Sequence, residues 1–334
     1  MTALADTDVD VPGCAQTAAR VLDEVERAIV GKREALRLVL LGILASGHVL
    51  LEDLPGLGKT LVARSFATAL GLRFTRVQFT PDLLPADLTG APVYDPRTGE
   101  LSFRPGPVFT QLLLADEINR TPPKTQAALL EAMSEHQVSA DGETRLLPEP
   151  FVVLATDNPI EFEGTYPLPE AQLDRFIARV RLGYPGERDE AELLRRRIAR
   201  ATPEPPAVGQ VTDAAGLGAM RRAVEYVEAD DDLLAYVVAL TTATRHHAQV
   251  AVGASPRASL ALLRLARAHA AVQGRDFTHP DDVKAVAVPA LGHRVVLRPE
   301  LWVRRLSGDD VVADVLRTVP VPNPAPSHHG RVAS

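Results

Sequence analysis

The chain has 334 residues, of which 46% are hydrophobic, so it can bury a sizeable core, and its length alone indicates about two domains. Its formal net charge of −7 provides no general attraction to nucleic-acid phosphates or anionic lipid. Cys14 is the only cysteine, which excludes an intrachain disulfide and a cysteine-held metal cluster and fits a reducing cytoplasm.

The first part of the chain predicts two helices before any strand. Residues 1–11 are acidic and lack the basic start and apolar run of a signal peptide, so we do not expect export. Apolar residues recur at helical spacing from Thr17 to Arg27 and again from Ala35 to Ala45. The most hydrophobic stretch, Leu36 to Leu51, contains Arg37 and falls short of the ~20 apolar residues that span a bilayer, so we expect no membrane insertion.

Short apolar runs then predict the strands of a sheet. Helix-compatible segments separate these runs, and strands that alternate with helices indicate an α/β fold with a parallel sheet covered by helices on both faces. The predicted strands are His48–Glu52, Phe74–Gln78, Gln111–Ala115, Phe151–Thr156 and Ala178–Leu182.

Two segments between these elements are interpreted as insertions. Val93–Phe103 contains a turn-rich unit from Asp95 to Gly99, and Gln137–Leu147 contains Asp141-Gly142, which is typical of a hairpin turn. Both should project from the sheet as loops or hairpins.

The composition changes after Leu182, where a cluster of helix and strand breakers occupies residues 183–186. We place an α/β core with N-terminal helices at 1–185, a smaller all-α domain at 186–320 and a flexible Pro-rich tail at 321–334. Thr278 and Asp281 predict a start resembling a capping box for the last helix. The predicted helices of the second domain are Glu187–Arg200, Gly216–Glu228, Asp231–His246, Pro256–Gln273 and Pro280–Leu291.

Residues 51–60, LEDLPGLGKT, lead from a predicted strand into a predicted helix. Glycines in such a loop let backbone N–H groups surround phosphate oxygens, and the helix N-terminus adds a favourable dipole. Lys59 can reach the β- and γ-phosphate oxygens, and the Thr60 hydroxyl can bind Mg²⁺. Asp53 stands where the strict Walker A pattern has its first glycine. A glycine-rich turn with a surface lysine is the alternative, but the order of strand, loop and helix favours a phosphate loop.

A second motif is the apolar run 112–115, followed by Asp116 and Glu117. Ligands bind where parallel strands end, so Asp116 can take part in the coordination shell of Mg²⁺ and Glu117 can orient the attacking water. The alternative, an acid pair that caps a helix ahead of Asn119, is less favoured downstream of Lys59. A guanine-binding Asn-Lys-x-Asp sequence is absent from the sequence, so the two motifs predict an ATPase that uses Mg²⁺.

Five motifs in order resemble the MoxR family of AAA+ ATPases over roughly residues 31–297. They are PGLGKT at 55–60, ADEINR at 115–120, KTQAALLE at 124–131, ATDNP at 155–159 and EAQLDRF at 170–176. The resemblance implies a P-loop NTPase core of the AAA+ class followed by an all-α lid. Two residues depart from the family's motifs: Asp157, where a glutamine-like residue is expected, and Asp53.

The resemblance also implies further site residues. Asn158 matches sensor 1, whose amide holds the attacking water or the γ-phosphate, and an Asn-Pro turn is the alternative. Arg175 matches an arginine finger that serves the neighbouring subunit's γ-phosphate; the alternatives are a salt bridge with Asp174 and Arg179 as a rival finger. Arg257 matches sensor 2, and its position at a helix start, where a cation opposes the helix dipole, favours a functional reason.

The segment around Val30 and Gly31 should lie near the adenine, as the equivalent segment does in similar proteins. The residues assigned to nucleotide binding are Val30, Gly31, Pro55, Gly56, Leu57, Gly58, Lys59, Thr60 and Leu61. The residues assigned to catalysis are Glu117, Asn158, Arg175 and Arg257, and those assigned to Mg²⁺ are Thr60 and Asp116. His246 and His247 are neighbours on a predicted helix and point in different directions, so no other metal is assigned.

The resemblance finally implies a biological function. MoxR-like proteins suggest a chaperone-like ATPase in a cytoplasmic homo-oligomeric, hexameric ring that remodels or activates a client protein, such as one with a von Willebrand factor A domain. The two insertions match a helix-2 insert and a presensor hairpin, which tend to face the ring pore or a partner. A chelatase-type or nucleic-acid-directed motor is the alternative, although the negative net charge argues against nucleic-acid binding. A nucleotide switch without hydrolysis is disfavoured by Glu117.

Overall fold

The structure is a computed structural model that describes residues 9–97, 99–140, 142–158, 164–200, 202, 204, 206–300 and 306–322. The strands in chain order are β1 (His48–Glu52), β2 (Phe74–Gln78), β3 (Gly90–Asp95), β4 (Glu100–Pro105), β5 (Leu112–Asp116), β6 (Gln137–Ala140), β7 (Glu143–Leu146), β8 (Val152–Asp157), β9 (Phe176–Val180), β10 (Val250–Val252) and β11 (Val296–Leu297). The helices are α1 (Val11–Glu26), α2 (Arg33–Leu44), α3 (Lys59–Ala69), α4 (Pro85–Thr89), α5 (Pro123–Glu135), α6 (Glu170–Leu173), α7 (Glu187–Arg200), α8 (Ala214–Tyr226), α9 (Asp231–His246), α10 (Pro256–Val272), α11 (Pro280–Leu291) and α12 (Gly308–Thr318).

A five-stranded parallel sheet in the order β2-β5-β8-β1-β9 forms the centre of the molecule. The side chains of β5 are buried throughout, as expected for a strand covered by helices on both faces. Because all five strands run in one direction, their C-terminal ends share one side of the sheet, the carboxyl edge, and their starts share the opposite side, the amino edge. The α/β fold with a parallel sheet is confirmed.

The last strand begins earlier than the sequence pattern predicts. β9 spans Phe176–Val180 rather than Ala178–Leu182, because Phe176 and Ile177 are both buried and belong to the sheet. Phe176 belongs to the hydrophobic cluster on one face of the sheet and Ile177 to the cluster on the other face, so both are buried. A register shift opposite the step from His48 to Val49 makes the pairing irregular there.

Two hydrophobic clusters lie on opposite faces of the sheet. One contains buried side chains of α1, α2 and α3 together with those of α8 to α12, and the other contains side chains of α5 and of the β6–β7 hairpin. The α7 helix contributes no buried side chain within the described chain. The helical second part thus shares a cluster with the sheet, and the division near residue 185 stays a prediction.

Both predicted insertions form antiparallel hairpins, β3–β4 and β6–β7. They contact each other, because the guanidinium carbon of Arg145 lies 3.9 Å from the centre of the Phe103 ring. Of the predicted turn residues, Thr98 and Asp141 lie outside the described residues.

The helical part follows the prediction closely, with three differences. α8 spans Ala214–Tyr226 rather than Gly216–Glu228, because the Asp213 carboxylate accepts the Gly216 N–H at 2.8 Å and caps the helix there. α11 begins after His279, whose N–H donates to the Asp282 carboxylate at 2.7 Å, so the expected cap from Thr278 and Asp281 was wrong by one residue. Pro280 occupies the first helical position, where a missing N–H costs nothing, and this fixes the start. α12 and the β10–β11 pair were not predicted, and residues 323–334 of the predicted tail lie outside the described residues.

Candidate functional site

The predicted phosphate loop connects β1 to α3 at the carboxyl edge of the sheet. Gly56 and Gly58 adopt φ angles of +83° and +84°, a left-handed conformation that glycine accepts without steric cost. Gly58 directly precedes α3, so the free N–H groups of the first helical turn point toward this loop. The backbone thus has the form that surrounds phosphate oxygens.

Lys59 is buried beneath this loop. Its ammonium group donates to the backbone carbonyl of Asp53 at 2.5 Å and to that of Asp157 at 3.3 Å. Burial lowers the pKa of Lys59 because it disfavours the charged form, although nearby carboxylates, Asp53 foremost, oppose the shift. A bound polyphosphate would add opposite charge in direct contact with this buried ammonium.

Asp116 lies at the end of β5 beside the phosphate loop. Its carboxylate accepts hydrogen bonds from the Thr156 hydroxyl at 2.7 Å and from Nε of Arg76 at 2.9 Å. The Thr60 hydroxyl lies 3.4 Å from Oδ2 of Asp116. Two oxygens that bind one Mg²⁺ at about 2.1 Å in adjacent octahedral positions are about 3 Å apart, so Thr60 and Asp116 fit a shared Mg²⁺.

Glu117 follows Asp116 in a left-handed backbone conformation, with φ 59° and ψ 52°. This conformation is unusual for a residue other than glycine and costs about 1 kcal/mol or more. The Glu117 N–H donates to the Thr156 hydroxyl at 2.8 Å, and the Gln78 amide donates to the Glu117 carboxylate at 2.6 Å. Arg120 also approaches this carboxylate at 3.4 Å.

Asn158 follows β8 and is buried next to these acids. Its backbone carbonyl accepts a hydrogen bond from the Asn119 amide at 3.3 Å. Burial and the nearby charge of Glu52 raise the pKa of Asp157, and Oδ1 of Asp157 is buried without a hydrogen-bond partner in the described chain. A cavity of about 390 Å³ lies beside Asn158 and Asp157.

Asp53 has a structural role that explains its departure from the Walker pattern. Its carboxylate accepts the backbone N–H of Leu182 and, at 2.9 Å, that of Gly183. These groups follow β9, so Asp53 joins the phosphate loop to the segment that leads into α7. A glycine at position 53 would lose both hydrogen bonds.

The predicted adenine segment also contacts the residues after β9. Gly31 has a φ of +70°, and a Cβ atom there would lie 2.1 Å from a carboxylate oxygen of Asp189. The Lys32 ammonium donates to the backbone carbonyl of Tyr184 at 2.7 Å. The role of Val30 and Gly31 in binding adenine stays a prediction.

Arg175 lies at the amino edge, because it directly precedes β9. A five-residue strand spans about 16 Å, so this strand separates Arg175 from the carboxyl edge, where the phosphate loop of the same chain lies. Its Nε donates to the Ser134 hydroxyl at 2.8 Å, near the end of α5. The alternative salt bridge with Asp174 is not formed, because Asp174 pairs with Arg294 at 2.8 Å.

Arg179, the rival finger, lies near the opposite end of β9. It pairs with Glu52 at 3.1 Å and with Asp309 at 2.7 Å, and only 16% of its side chain is exposed. Arg181 pairs with the same two acids. Arg179 is therefore held within its own chain, which favours Arg175 as the finger.

Arg257 lies in the first turn of α10. Ser255, two residues earlier, contacts the Asp174 carboxylate at 3.1 Å, which places the start of α10 at the amino edge. Arg257 is exposed and makes no hydrogen bond or ion pair with residues that the structure describes. The structure therefore brings Lys59, Thr60, Asp116, Glu117 and Asn158 together but places Arg175 and Arg257 elsewhere.

Sequence reasoning missed three side chains of the site. Arg76 and Gln78 belong to β2, and their contacts with Asp116 and Glu117 depend on the pairing of β2 with β5. Thr156 belongs to β8 and bridges the two acids. Arg76 and Gln78 are polar residues two positions apart at the end of a predicted strand. This pattern was the feature of the sequence that could have identified them.

Two family models and several known proteins are similar to this chain. Residues 48–178 match the family model of the ATPase family associated with various cellular activities (AAA), and residues 242–315 match that of the AAA lid domain. The YeaC protein of Bacillus subtilis is 45% identical over 303 residues, which are 91% of this chain and 94% of YeaC. The chaperone MoxR1 of Mycobacterium tuberculosis is 43% identical over 315 residues, which are 92% of this chain and 82% of MoxR1.

A solved structure extends the comparison to the fold. The crystal structure of a chain from Cytophaga hutchinsonii, proposed to be an ATPase, matches with a TM-score of 0.87 and 38% sequence identity. The match covers 94% of this chain and 97% of that chain. Together with the AAA core, the lid domain and the similarity to MoxR1, this shows that the chain belongs to the MoxR family of AAA+ ATPases.

Proposed function

We propose that the protein hydrolyses ATP with Mg²⁺ at the subunit interfaces of a homo-oligomeric ring, and that the cycle remodels or activates a client protein. The observation that carries this proposal is the separation of Arg175 from the phosphate loop of its own chain by the length of β9. An arginine finger placed at the amino edge can stabilise a γ-phosphate only in another subunit. A ring supplies such a neighbour to every subunit, because head-to-tail contacts close into cyclic assemblies.

Each subunit supplies one set of groups to its own nucleotide. Lys59 binds the β- and γ-phosphate oxygens, and the backbone N–H groups of residues 56–60 surround them. Thr60 and Asp116 would hold Mg²⁺, which when bound would neutralise phosphate charge. Glu117 orients the attacking water and accepts its proton, while the Asn158 amide holds the water or the γ-phosphate.

The neighbouring subunit supplies the second set. Arg175 neutralises the charge that develops on the transferred phosphoryl group, as a fixed guanidinium does without further reorganisation. Arg257 lies at the same edge as Arg175, so we assign it to the same neighbouring nucleotide. Hydrolysis then depends on assembly, because neither arginine reaches its own phosphate loop.

The Gln78 amide adds a restraint on Glu117. Its hydrogen bond of 2.6 Å to one carboxylate oxygen fixes the position of the side chain. A carboxylate has further acceptor sites, so Glu117 can still accept a proton from water while Gln78 is bound. The Gln78 amide therefore helps to position the acid that orients the water.

The proposed client contacts involve the two hairpins. Tyr94 and Leu101 on the β3–β4 hairpin and Leu146 on β7 are all more than half exposed. Exposed apolar side chains on projecting loops are typical of binding surfaces. A protein with a von Willebrand factor A domain is one candidate client, and a chaperone role agrees with the name of the MoxR1 relative.

A hexameric ring in the cytoplasm completes the proposal. A single cysteine fits a reducing compartment. Within the described residues, none of the helices has the length and apolar character needed to cross a bilayer.

Mixed assemblies test the interface site. Arg175→Ala removes the finger but keeps the phosphate loop, whereas Lys59→Ala keeps the finger but loses nucleotide binding. We expect each variant alone to be inactive and their mixture to recover ATP turnover, with specific activity that rises with protein concentration. Arg20→Ala, at an exposed position of α1, serves as a control and should retain activity. Turnover that is independent of concentration and unaffected by Arg175→Ala would contradict the interface site.

A further inference from the structure

A buried arginine holds the backbone on both sides of Arg175. Only 3% of the Arg294 side chain is exposed. Its Nε donates to the Asp174 carboxylate at 2.8 Å, and Nη2 donates to the carbonyls of Asp174 at 3.0 Å and Phe176 at 2.7 Å. The segment that carries Arg175 is thus fixed to the residues that follow α11.

The Asp174 carboxylate has a second partner, in α10. The Ser255 hydroxyl lies 3.1 Å from one carboxylate oxygen and 3.3 Å from the other. The same hydroxyl accepts the Ala258 N–H at 3.2 Å, which makes Ser255 the N-cap of α10. One serine therefore caps a lid helix and binds the residue next to the predicted finger.

These contacts connect the two arginines that lie at the amino edge. Asp174 is adjacent to Arg175 in the chain, and Ser255 precedes Arg257 by two residues. We propose that Asp174 is a positioning residue that, through Ser255, holds Arg175 and Arg257 as one unit for the nucleotide of the neighbouring subunit. This inference rests on the proposed interface site and extends it.

The charges at this place explain why such a residue is needed. Arg294 is desolvated, and burial lowers its pKa, while Asp174 opposes that shift and Arg257 adds to it. Asp174 offsets the charge of the buried Arg294, with which it pairs, while Arg257 lies near enough to act on Arg294. Asp174 therefore fixes the backbone next to Arg175 and the start of α10 before a phosphate arrives, and groups fixed in advance stabilise a transition state without reorganisation.

Two substitutions at Ser255 separate this role from helix capping. Ser255→Gly removes the hydroxyl that donates to Asp174, while glycine serves almost as well as serine at an N-cap. Ser255→Thr keeps a hydroxyl that can both cap the helix and bind Asp174. Both variants leave the Asp174–Arg294 pair in place, so we expect both to fold.

The test uses full-length chains in mixed assemblies with two kinds of subunit. The donor carries Lys59→Ala, so it contributes only its arginines to a neighbouring site. The acceptor carries both Arg175→Ala and Arg257→Ala, so it contributes only its phosphate loop. Every active site in the mixture then combines an acceptor phosphate loop with donor arginines.

We place Ser255→Gly first in the donor and then in the acceptor and measure the maximal rate of ATP turnover. In the donor, it should reduce the recovered rate roughly tenfold or more, because small displacements of catalytic groups are costly. In the acceptor, it should leave the rate unchanged, since that subunit has no arginine pair to position. Ser255→Thr in the donor should preserve the rate.

The other outcomes overturn the inference in distinguishable ways. Equal losses from Ser255→Gly in the donor and in the acceptor would mean a general effect on folding or assembly. A loss only in the acceptor would mean that α10 serves the nucleotide of its own chain. An unchanged rate in both placements would remove Asp174 from its role. Failure of the mixture to recover any turnover, before Ser255 is changed, would instead contradict the proposed interface site itself.

Discussion

Thr156 shows how one hydroxyl can organise two acidic residues. It donates to the Asp116 carboxylate at 2.7 Å and accepts the Glu117 N–H at 2.8 Å. The second bond helps to hold Glu117 in its left-handed conformation, which is strained for a residue with a side chain. The placement of the predicted Mg²⁺ ligand and of the predicted water-orienting acid therefore depends on a residue of the neighbouring strand.

His48 is a buried titratable residue outside the nucleotide site. Its Nε2 lies 3.0 Å from the Met133 carbonyl, and its Nδ1 lies 3.0 Å from the Val153 N–H. Together these contacts require a neutral ring that is protonated at Nε2 and accepts at Nδ1. Burial lowers the pKa of His48 to about 4.

This arrangement predicts how stability depends on pH. The folded-state pKa of His48 lies below the unfolded value of about 6.5, so the unfolded chain takes up the proton first as the pH falls. The contribution of His48 to stability is complete above about pH 7 and is lost between about pH 6.5 and 4. His48→Gln, which donates and accepts without titrating, should remove about 2 kcal/mol of the stability difference between pH 7 and pH 5. Urea denaturation of parent and variant at both pH values measures this difference in stability. If the two proteins showed the same pH dependence, His48 would not be its source.

At the scale of elements, α1 links the sheet to the helical part. Its buried residues Val21, Leu22 and Val25 belong to the cluster that includes α3 beside the sheet and α8 and α10 of the helical part. The cluster continues across both parts without a break. We therefore expect the two parts to unfold together.

Leu22→Ala tests this linkage. Truncation of a buried leucine costs about 2–5 kcal/mol, because transfer energy is lost and a cavity remains. Guanidinium denaturation followed by circular dichroism should show one transition at a lower midpoint. The exposed Arg20 of the same helix supplies the control, and Arg20→Ala should change stability by no more than about 0.5 kcal/mol. Two separate transitions would show that α1 does not couple the parts.

The elements also show what a sequence can predict. The strand–loop–helix pattern around Lys59 and the acids after β5 are local, and parallel topology brings them to one edge, so this part of the site was predictable. Contacts across neighbouring strands, such as Gln78 with Glu117, depend on strand order, which no local pattern contains. α12 was missed although Ser307 and Asp310 form a capping box ahead of buried valines.

At the scale of the whole molecule, the two edges of the sheet carry complementary chemistry. The carboxyl edge presents the predicted phosphate site, and the amino edge presents Arg175 and Arg257. We expect a subunit that offers a phosphate site on one side and exposed cations on the other to associate head to tail. Such contacts are heterologous, and they close into a ring when the rotation between subunits permits. Bound ATP should strengthen each contact, because its γ-phosphate attracts the arginines of the neighbour.

Glu117→Gln tests this coupling of assembly to nucleotide. The amide cannot accept a proton from water, so we expect turnover to fall at least ~100-fold while ATP binding is retained. ATP should then persist at the interfaces and hold the assembly together. Light scattering should give a mass near six times the 35.9 kDa chain, about 215 kDa, with ATP and a smaller mass with ADP.

Two variants control this measurement. Glu131→Gln makes the same substitution at an exposed position of α5 and should behave like the parent. Lys59→Ala should show no growth in mass with ATP, because its phosphate loop binds nucleotide poorly. Parent-like turnover in Glu117→Gln would remove that residue from its assigned role, whereas loss of turnover with a single-chain mass in ATP would leave the phosphate site intact and reject the ring. The two measurements thus separate the chemistry at the carboxyl edge from the assembly that brings arginines to it.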